Sequence, residues 1–369
     1  MRRPLQHDTA RLYDRLRTAH LERAHQLAPA SILYRSRSYD FDESLTTDLD
    51  LRQVTTLQAA RAVASSRLVA LEINEPLMRA GALLTGAALL SLRMARLFGR
   101  PRTTVVSYAI ENLDPFRTRP GDRRRSRLRL QVEKRLAHHA WRRIDRLVYG
   151  TESARSLYRA VLPDHGRSLQ DALIPALPTV CSCGPIGDKE PGSVLFIGAL
   201  DHRKGIDALL AAWPLVIEIA GSGPELTVIG KGPREAAVRE ATEAHDSIHL
   251  LVDPDRGSIH ERLRSSQVVV LLSQRSPRWR EQVGLPIVEG LAHGCSVVTT
   301  TESGLADWLS EHGHDTLDPD GHPEAVARSL ERALARRRPA QDVLADLPDV
   351  DGRLAADGWL FSPTTSHPC

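Results

Sequence analysis

The chain alternates short runs of aliphatic residues with longer segments in which apolar residues recur at helical spacing. This alternation is typical of repeated βαβ units built around a parallel sheet. The pattern predicts strands in the first half of the chain at residues 31–36, 67–73, 103–109 and 146–151. In the second half it predicts strands at residues 193–199, 225–230, 247–252, 267–273 and 296–301. The expected fold class is therefore α/β.

The length of the chain and a segment rich in proline, glycine and cysteine suggest how it is divided into domains. At 369 residues it is longer than one hydrophobic core usually organises, so two domains are expected. Prolines, glycines and cysteines crowd residues 175–187, a composition typical of a linker. We expect two Rossmann-like parallel-sheet domains facing a cleft. The predicted bounds are an N-terminal acceptor-side domain at 1–180, a linker region at 181–192, a C-terminal domain at 193–338, and a weakly ordered tail or short return helix at 339–369.

Charge and apolar content exclude several classes of protein. The net charge is only +3, because 49 basic residues are nearly matched by 46 acidic ones, so a nucleic-acid partner is not expected. The N-terminus lacks the apolar core of a signal peptide, which favours a cytoplasmic location. The apolar run from Ala80 to Leu97 is interrupted by Arg93 and Arg96. We interpret it as a buried helix, with peripheral contact at the inner membrane face as the alternative.

The segment from Glu281 to Gly294, between two predicted strands, is the most informative. Pro286 suits the first turn of a helix and Gly294 suits its end, so a helix is predicted from about Pro286 to His293. The free amides at its start would then form an anion site of the kind that holds a pyrophosphate. Those amides belong to Gly284, Leu285 and Ile287.

Two carboxylates flank this predicted anion site. Glu281 precedes the helix and Glu289 lies one turn inside it, with seven residues between them. A carboxylate accepts hydrogen bonds from both hydroxyls of a vicinal diol, so the pair suits a ribose and a hexose on either side of the phosphate. The alternative is a surface helix with two solvated glutamates.

The E-x7-E spacing, the G-L-P within it and the H-G-C-S-V-V-T-T that follows resemble the retaining GT-B glycosyltransferases of the family-four (glycosyl transferases group 1) type. The resemblance covers residues 190–335 and implies a hexosyltransferase that uses a nucleotide-sugar, with UDP-sugars and GDP-mannose both open as donors. It implies that Glu281 contacts the transferred sugar and Glu289 the ribose. The phosphate-binding backbone between them falls on Val283, Gly284 and Leu285.

Two further segments resemble the same family. The loop after residues 193–199 carries Gly198, Arg203 and Lys204 and is similar to the family's G-R-L-x-x-x-K-G segment. This implies that Lys204 neutralises the departing diphosphate. Arg203 is a candidate second cation, because Ala199 stands where the family has arginine. The remaining donor-binding candidates implied by the resemblance are Gly230, Lys231, Gly232 and, beside the base, Asp253.

The N-terminal half departs from the family pattern, since it lacks the usual glycine-rich loop and the histidine after the third strand. The acceptor-side candidates are Glu111, Asn112 and Asp114, with a capped turn as the alternative. The basic run from Arg117 to Arg129 is either a solvated face or a contact for a phosphorylated or lipid-pyrophosphate acceptor or an anionic membrane. The acceptor itself stays open between a glycan, a lipid-linked molecule and a small molecule.

No cofactor other than the nucleotide-sugar co-substrate is expected, and no metal. The four cysteines, Cys181, Cys183, Cys295 and Cys369, suggest structural thiols. Six of the 15 histidines cluster in the second half without metal-ligand spacing, namely His245, His249, His260, His293, His312 and His314. Because of Ala199 and the departures in the N-terminal half, a non-catalytic glycosyltransferase-like partner protein is the alternative function.

Overall fold

The computed structural model describes residues 4–38, 41–117, 124–166, 168–221 and 223–362, without the side chains of 124–127. The chain folds into two compact units. The first runs to Pro175 and resumes at Arg353, and the second comprises Ala176–Gly352. This division differs from the sequence-based bounds at both ends of the second domain.

Within the described residues of the first unit, a seven-stranded parallel sheet has the order β3-β2-β1-β4-β5-β6-β7. Its strands are β1 Thr9–Leu16, β2 Ser31–Arg37, β3 Leu51–Gln53, β4 Ala70–Glu72, β5 Thr104–Ala109, β6 Arg146–Tyr149 and β7 Gln170–Leu173. Its helices before the second unit are α1 Thr18–Ala24, α2 Thr56–Ser65, α3 Ala82–Leu97, α4 Arg124–Trp141 and α5 Glu152–Val161.

The four strands predicted in this half are β2, β4, β5 and β6, so β1, β3 and β7 were missed. Strand β1 was missed because charged residues occupy buried positions: Arg11 is 1% exposed and Asp14 is 4% exposed. Both form ion pairs, so they fit where the alternation rule expects apolar side chains. Strands β3 and β7 are short and lie at the two edges of the sheet.

The described residues of the second unit form a six-stranded parallel sheet with the order β10-β9-β8-β11-β12-β13. Its strands are β8 Glu190–Ile197, β9 Glu225–Ile229, β10 Ile248–Leu251, β11 Ser266–Leu271, β12 Ser296–Thr300 and β13 Asp315–Leu317. Its helices are α6 Ile206–Ile219, α7 Glu235–Ala244, α8 Arg256–Ser265, α9 Leu285–Ala292, α10 Ala306–Glu311, α11 Pro323–Arg336 and α12 Ala340–Leu344. The five predicted strands are present, and only the three-residue β13 was missed.

The strand order of the second sheet fixes where a ligand site is expected. The chain proceeds outward from β8 through β9 to β10, then returns to add β11 on the other side of β8. The loops that leave the carboxyl ends of β8 and β11 therefore diverge and open a crevice between them. All six residues of β11 are buried, which anchors the loop that follows it.

A last helix, α13 Gly352–Phe361, returns the chain to the first unit. Its Ala356 and Leu360 pack against Val106 of β5 and Val148 of β6. Its Asp357 accepts from Arg11 at 2.6 Å. The segment treated as a tail or short return helix is thus helical in two places, α12 and α13, up to residue 361.

Among the described residues, the segment Arg79–Leu97, which includes α3, has the length and composition of a membrane-crossing helix. One face packs in the first unit through Leu84, Ala88 and Leu89. The other face is not buried, which corrects the prediction of a buried helix. It exposes Leu83, Leu90, Met94, Leu97 and Phe98.

Candidate functional site

The loop after β8 presents a lysine at the crevice of the second sheet. A short 3-10 turn, His202–Lys204, begins at Asp201, whose Oδ1 accepts from the Lys204 amide at 3.0 Å. The turn ends at Gly205, which has φ 80°. A side chain there would place its Cβ 1.8 Å from the Leu272 carbonyl oxygen, so only glycine allows this loop to pack on the end of β11.

Glu281 lies opposite, in the loop after β11, and the Lys204 ammonium forms an ion pair with its Oε2. Ser273 donates to the same oxygen at 3.2 Å. The Gly304 amide donates to the Glu281 carbonyl at 2.9 Å, which fixes the backbone of this loop beside β12. Both side chains of the ion pair are largely buried, with 15% of Lys204 and 11% of Glu281 exposed. The structure thus joins two residues that the sequence placed in different motifs.

Arg203 turns away from Glu281. Its Nε donates to Asp201 at 2.9 Å, and its guanidinium lies 4.4 Å from the ring centre of Trp279. The Lys204 ammonium is 5.1 Å from the same ring. Trp279 was missed in the sequence, although an aromatic residue close before the glutamate is a signal that could have pointed to it.

Beside this turn is a pocket of about 590 Å³ that carries four basic side chains. They are His202, Arg203, Arg234 and Arg275. Asp201 also lines the pocket, and Arg203, Arg234 and Arg275 each pair with an aspartate, so the pocket presents both signs of charge.

Helix α9 begins close to its predicted position, at Leu285 after Gly284, and has no side-chain N-cap. One predicted ligand amide is wrong, because the Ile287 amide donates to the Gly284 carbonyl at 2.9 Å. Leu285 is 65% exposed, while Val283 packs against the core of the unit. The predicted anion site could therefore use the amides of Gly284 and Leu285 but not that of Ile287.

Glu289 has a partner that the sequence did not suggest. Its Oε1 lies 2.7 Å from the guanidinium of Arg256, at the start of α8. The Glu289 side chain is 23% exposed, so it faces the surface only in part. The alternative of a fully solvated glutamate is not what the structure shows.

The glycines after β8 and β9 pack against each other. A Cβ on Gly230 would lie 1.9 Å from the Gly198 carbonyl oxygen, and one on Gly232 would lie 2.4 Å from that of Leu200. Close contact between the two loops is thus sufficient to explain these glycines. At the surface nearby, Lys231 pairs with Asp253 at 2.6 Å.

In the first unit, two acceptor-side candidates, Glu111 and Asp114, accept hydrogen bonds from backbone amides of their own loop. The Glu111 carboxylate accepts from the amides of Asn112 and Leu113, both at 3.2 Å. Asp114 accepts from the Phe116 amide at 2.8 Å. The capped-turn alternative therefore describes these two carboxylates, and Asn112 is 3% exposed.

A carboxyl group that the sequence analysis missed lies beneath this turn. Glu75, which follows β4, accepts from the amides of Ile110 and Glu111 and from the Tyr158 hydroxyl, at 3.1, 3.0 and 2.9 Å. Burial and the nearby Glu111 carboxylate raise the pKa of Glu75 to about 8. No local motif marks it, because its partners come from β5 and α5.

Residues 118–123 of the predicted basic run lie outside the described residues. Of the residues at its ends, Arg117 is exposed. Arg129 pairs with Glu133 at 2.8 Å, four residues along α4.

The structure corrects the statement that the histidines have no metal-ligand arrangement. Ligand atoms of four side chains converge within 4.8 Å of one another in the second unit. Spacing did not reveal them, because they come from three separate segments of the chain. They are Cys181, Cys183, His260 and His293.

The whole chain resembles known structures in fold. The lipopolysaccharide outer core galactosyltransferase WaaB, in its apo form, aligns with a TM-score of 0.64 over 96% of this chain and 99% of its own, at 11% identity. Anabaena HepE in complex with UDP aligns with a TM-score of 0.65 over 96% of this chain and 95% of its own, at 12% identity. The two parallel-sheet α/β units are thus those of a GT-B glycosyltransferase fold.

Sequence similarity is concentrated in the second unit. Residues 191–336 match the family of glycosyl transferases group 1, which supports this GT-B family for the chain. The glycogen synthase of Halorhodospira halophila is 29% identical over 156 residues, which are 38% of this chain and 30% of that protein. The 2-deoxystreptamine N-acetyl-D-glucosaminyltransferase of Streptomyces fradiae is 28% identical over 169 residues, which are 44% of this chain and 38% of that protein. The chain spans about a third of the length of these curated relatives.

Proposed function

We propose that this protein is a glycosyltransferase that moves a hexose from a nucleotide-diphosphate sugar to an acceptor hydroxyl with retention of configuration. The observation that carries the proposal is the ion pair between Lys204 and Glu281 at the crevice of the second sheet. Ligands of open α/β sheets bind at this kind of crevice. An ion pair at this depth is expensive to desolvate, which favours a functional reason for it.

The diphosphate is assigned to Lys204 and the uncapped start of α9. An ammonium has three N–H donors, and Glu281 accepts one of them, so donors remain for phosphate oxygens. The first amides of α9 have no side-chain acceptor in Gly284. Such a helix start favours negative charge. Arg203 and Arg234 lie in the pocket beside the turn, paired through Nε with Asp201 and Asp207, and would contact the same ligand through their remaining N–H groups.

The two glutamates are assigned to the sugars. Glu281 would accept from hydroxyls of the transferred hexose, since its carboxylate is held in place by Ser273 and Lys204. Glu289 would accept from the ribose through Oε2, because Arg256 holds Oε1. The resemblance to the family supports the same assignment.

The proposed transfer breaks the bond between the anomeric carbon and the phosphate oxygen, and the electron pair leaves with the diphosphate. The acceptor oxygen bonds to the same face of the anomeric carbon, and its proton passes to the departing phosphate oxygen. Lys204 and the α9 amides stabilise the charge that develops on the leaving group. No metal or other cofactor is assigned to this step, because these groups can supply the positive charge.

We assign the acceptor side to the first unit and propose a peripheral contact with an anionic membrane surface there. The exposed face of α3 presents Leu83, Leu90 and Leu97 in one stripe, two helical turns apart. Arg93 and Arg96 are exposed on the same helix, which supplies charge complementary to anionic lipid. Leu90→Glu is expected to reduce sedimentation with vesicles of anionic lipid, whereas Leu57→Glu, at an exposed site on α2, is not. Equal sedimentation of both variants with wild type would reject the membrane contact.

A panel of nucleotide-sugars tests the donor assignment. A saturating donor should stabilise the second unit by about 2.7 kcal/mol at 100 times its dissociation constant. With that donor, wild type should release nucleoside diphosphate, and Lys204→Ala should lower the rate about 10²–10³-fold, as loss of one preorganised donor does. Glu324→Gln, at an exposed position of α11, is the matched control and should be as active as wild type.

The outcomes separate the two hypotheses. A product with the same anomeric configuration as the donor, seen by NMR, supports retention. Donor binding without turnover across glycan, lipid-linked and small-molecule acceptors would instead establish the non-catalytic partner protein. Absence of stabilisation by every nucleotide-sugar would reject the donor site.

A further inference from the structure

Four side chains with sulfur or nitrogen donors meet at a place in the second unit that the proposed transfer does not use. Cys181 and Cys183 lie in the segment before β8. His260 lies on α8, and His293 follows the last residue of α9. The cysteine segment is joined to α9 by the Cys181 amide, which donates to the Ala292 carbonyl at 2.8 Å, and to α8 by Arg264, which donates to the Cys183 carbonyl at 3.4 Å.

The distances between donor atoms suit a four-coordinate metal. The His260 Nδ1 and His293 Nε2 atoms are 3.0 Å apart. The Cys183 Sγ lies 3.2 Å from His293 Nε2, and the Cys181 Sγ lies 3.7 Å from His260 Nδ1. A tetrahedral zinc ion, with Zn–S about 2.3 Å and Zn–N about 2.0 Å, requires ligand atoms about 3.3 to 3.8 Å apart. These three distances differ from the tetrahedral values by a few tenths of an ångström, and all four ligand atoms lie within 4.8 Å of one another.

His293 is oriented as a metal ligand by a second contact. Its Nδ1 lies 2.7 Å from the Glu289 carbonyl oxygen, which can only accept a hydrogen bond. Nδ1 therefore carries the proton, and in the neutral ring Nε2 keeps its lone pair on the side of His260 Nδ1 and Cys183 Sγ. A hydrogen bond from the outer ring nitrogen to a backbone carbonyl is the usual arrangement for a metal-bound histidine. The residue is also 1% exposed, so few other orientations are open to it.

Two N–H donors lie close to the two sulfurs. The Arg264 guanidinium is 3.2 Å from Cys183 Sγ. The Cys183 amide donates to Cys181 Sγ at 3.4 Å. Cysteine binds a metal as the thiolate, so each thiol gives up its proton when the ion binds. A divalent cation would then be neutralised by two thiolates, with release of two protons to solvent.

We propose that Cys181, Cys183, His260 and His293 form a structural zinc site. Two sulfur and two nitrogen donors in a tetrahedral arrangement are the preference of zinc, and four protein ligands leave no open position for catalysis. The metal ties the segment before β8 to α8 and α9. It lies one helical turn from the pair of Arg256 and Glu289, since each histidine is four residues beyond one member of that pair. The expectation that this chain holds no metal is revised by this proposal.

Metal analysis of the full-length protein, purified without chelator, tests the site. Wild type is expected to carry one zinc per chain, and a Cys181→Ser/Cys183→Ser double variant none. Cys295→Ala is the matched control: this buried thiol hydrogen-bonds to the carbonyls of Leu263 and Ser266 and is not among the four convergent ligands, so the variant should retain zinc. Zinc content that is the same in the double variant and in wild type would overturn the proposal.

A single-ligand variant and a spectroscopic probe test the site independently, in case the double variant misfolds. His293→Asn should bind zinc at least about 100-fold more weakly in competition with a chromophoric chelator, since even loss of an outer contact costs 10–100-fold. Cobalt added to the apo protein should give the thiolate charge-transfer and intense visible bands of a tetrahedral site. Failure of apo wild type to bind either metal, or a Cys181–Cys183 disulfide in its place, would overturn the site even if every variant folds.

Discussion

Arg11 in the first unit and Lys204 in the second each pair with a glutamate, but the two pairs are set differently in their sheets. Arg11 and Glu72 are register partners on the neighbouring strands β1 and β4. Their side chains are 2% and 7% exposed, at a separation of 2.5 Å. Lys204 and Glu281 instead belong to loops at the carboxyl edge of their sheet, and their side chains are 15% and 11% exposed. The first pair is part of a core, whereas the second lies where a ligand can reach it.

The first pair is also part of a larger set of charges. Asp357 and Arg353, both on α13, lie 2.6 Å from Arg11 and beside Glu72, respectively. Burial alone would raise the pKa of Glu72, but Arg353 and Arg11 outweigh it and hold the pKa below its usual value. Two cations and two anions thus compensate each other inside the first unit. We infer that these four charges hold α13 on the first unit. The pair of Lys204 and Glu281 in the second unit, in contrast, is inferred to serve ligand binding.

The largest predicted effect concerns Arg11. Arg11→Met leaves Glu72 and Asp357 with one cation fewer in a buried place, and breaking a buried pair this way costs about 3–5 kcal/mol. Urea unfolding followed by hydrogen exchange should show this loss in peptides of β1 and β4, with peptides of β8 and β11 unchanged. Arg15→Met, at an exposed position of β1, is the control and should stay close to wild type. A loss of less than about 1 kcal/mol would remove the distinction drawn between the two pairs.

A smaller effect is expected from the corresponding change in the second unit. Lys204→Met deprives Glu281 of its cation, but Ser273 still donates to the carboxylate and the crevice admits solvent. We expect the second unit to lose about 1–3 kcal/mol in the same measurement. The exposed Arg239→Met on α7 should lose less than about 1 kcal/mol. If Lys204→Met lost as much stability as Arg11→Met, the pair would be structural, and its use as evidence for a donor site would fail.

The same contrast shows how far the sequence could predict this protein. In the second unit the strands and the start of α9 follow from local spacing and from glycine and proline positions, and a family resemblance in local motifs pointed to Lys204 and Glu281. In the first unit, β1 escaped detection because its charged residues find partners as far away as Asp357, 346 residues along the chain. Arg256, Glu75 and the cluster of Cys181 with His260 escaped for the same reason. A local pattern carries no information about a partner that only the fold brings near.

The raised pKa of Glu75 predicts that the stability of the first unit depends on pH. Its pKa of about 8 lies above the usual 4.5, so between these values the folded protein keeps a proton that the unfolded chain has lost. The stabilising contribution is complete below pH 4.5 and is lost as the pH rises through about 8. The free energy of unfolding should fall with a slope of at most about 1.4 kcal/mol per pH unit in this window. Glu75→Gln should remove that slope, whereas Glu22→Gln, exposed on α1, should retain it.

The smallest effect on stability is expected at Arg256, on the exposed surface of the second unit. Arg256 is 62% exposed, so Arg256→Ala should change stability by less than about 1 kcal/mol, no more than Arg262→Ala on the same helix. The informative readout is donor binding, because Arg256 occupies the carboxylate that is assigned to the ribose. If Arg256 only orients Glu289, its loss should weaken donor binding and leave the turnover of bound donor unchanged. If Arg256 competes with the ribose, its loss should tighten binding. No change in either direction would show that Glu289 does not contact the donor, and the donor site would then rest on Lys204 and Glu281 alone.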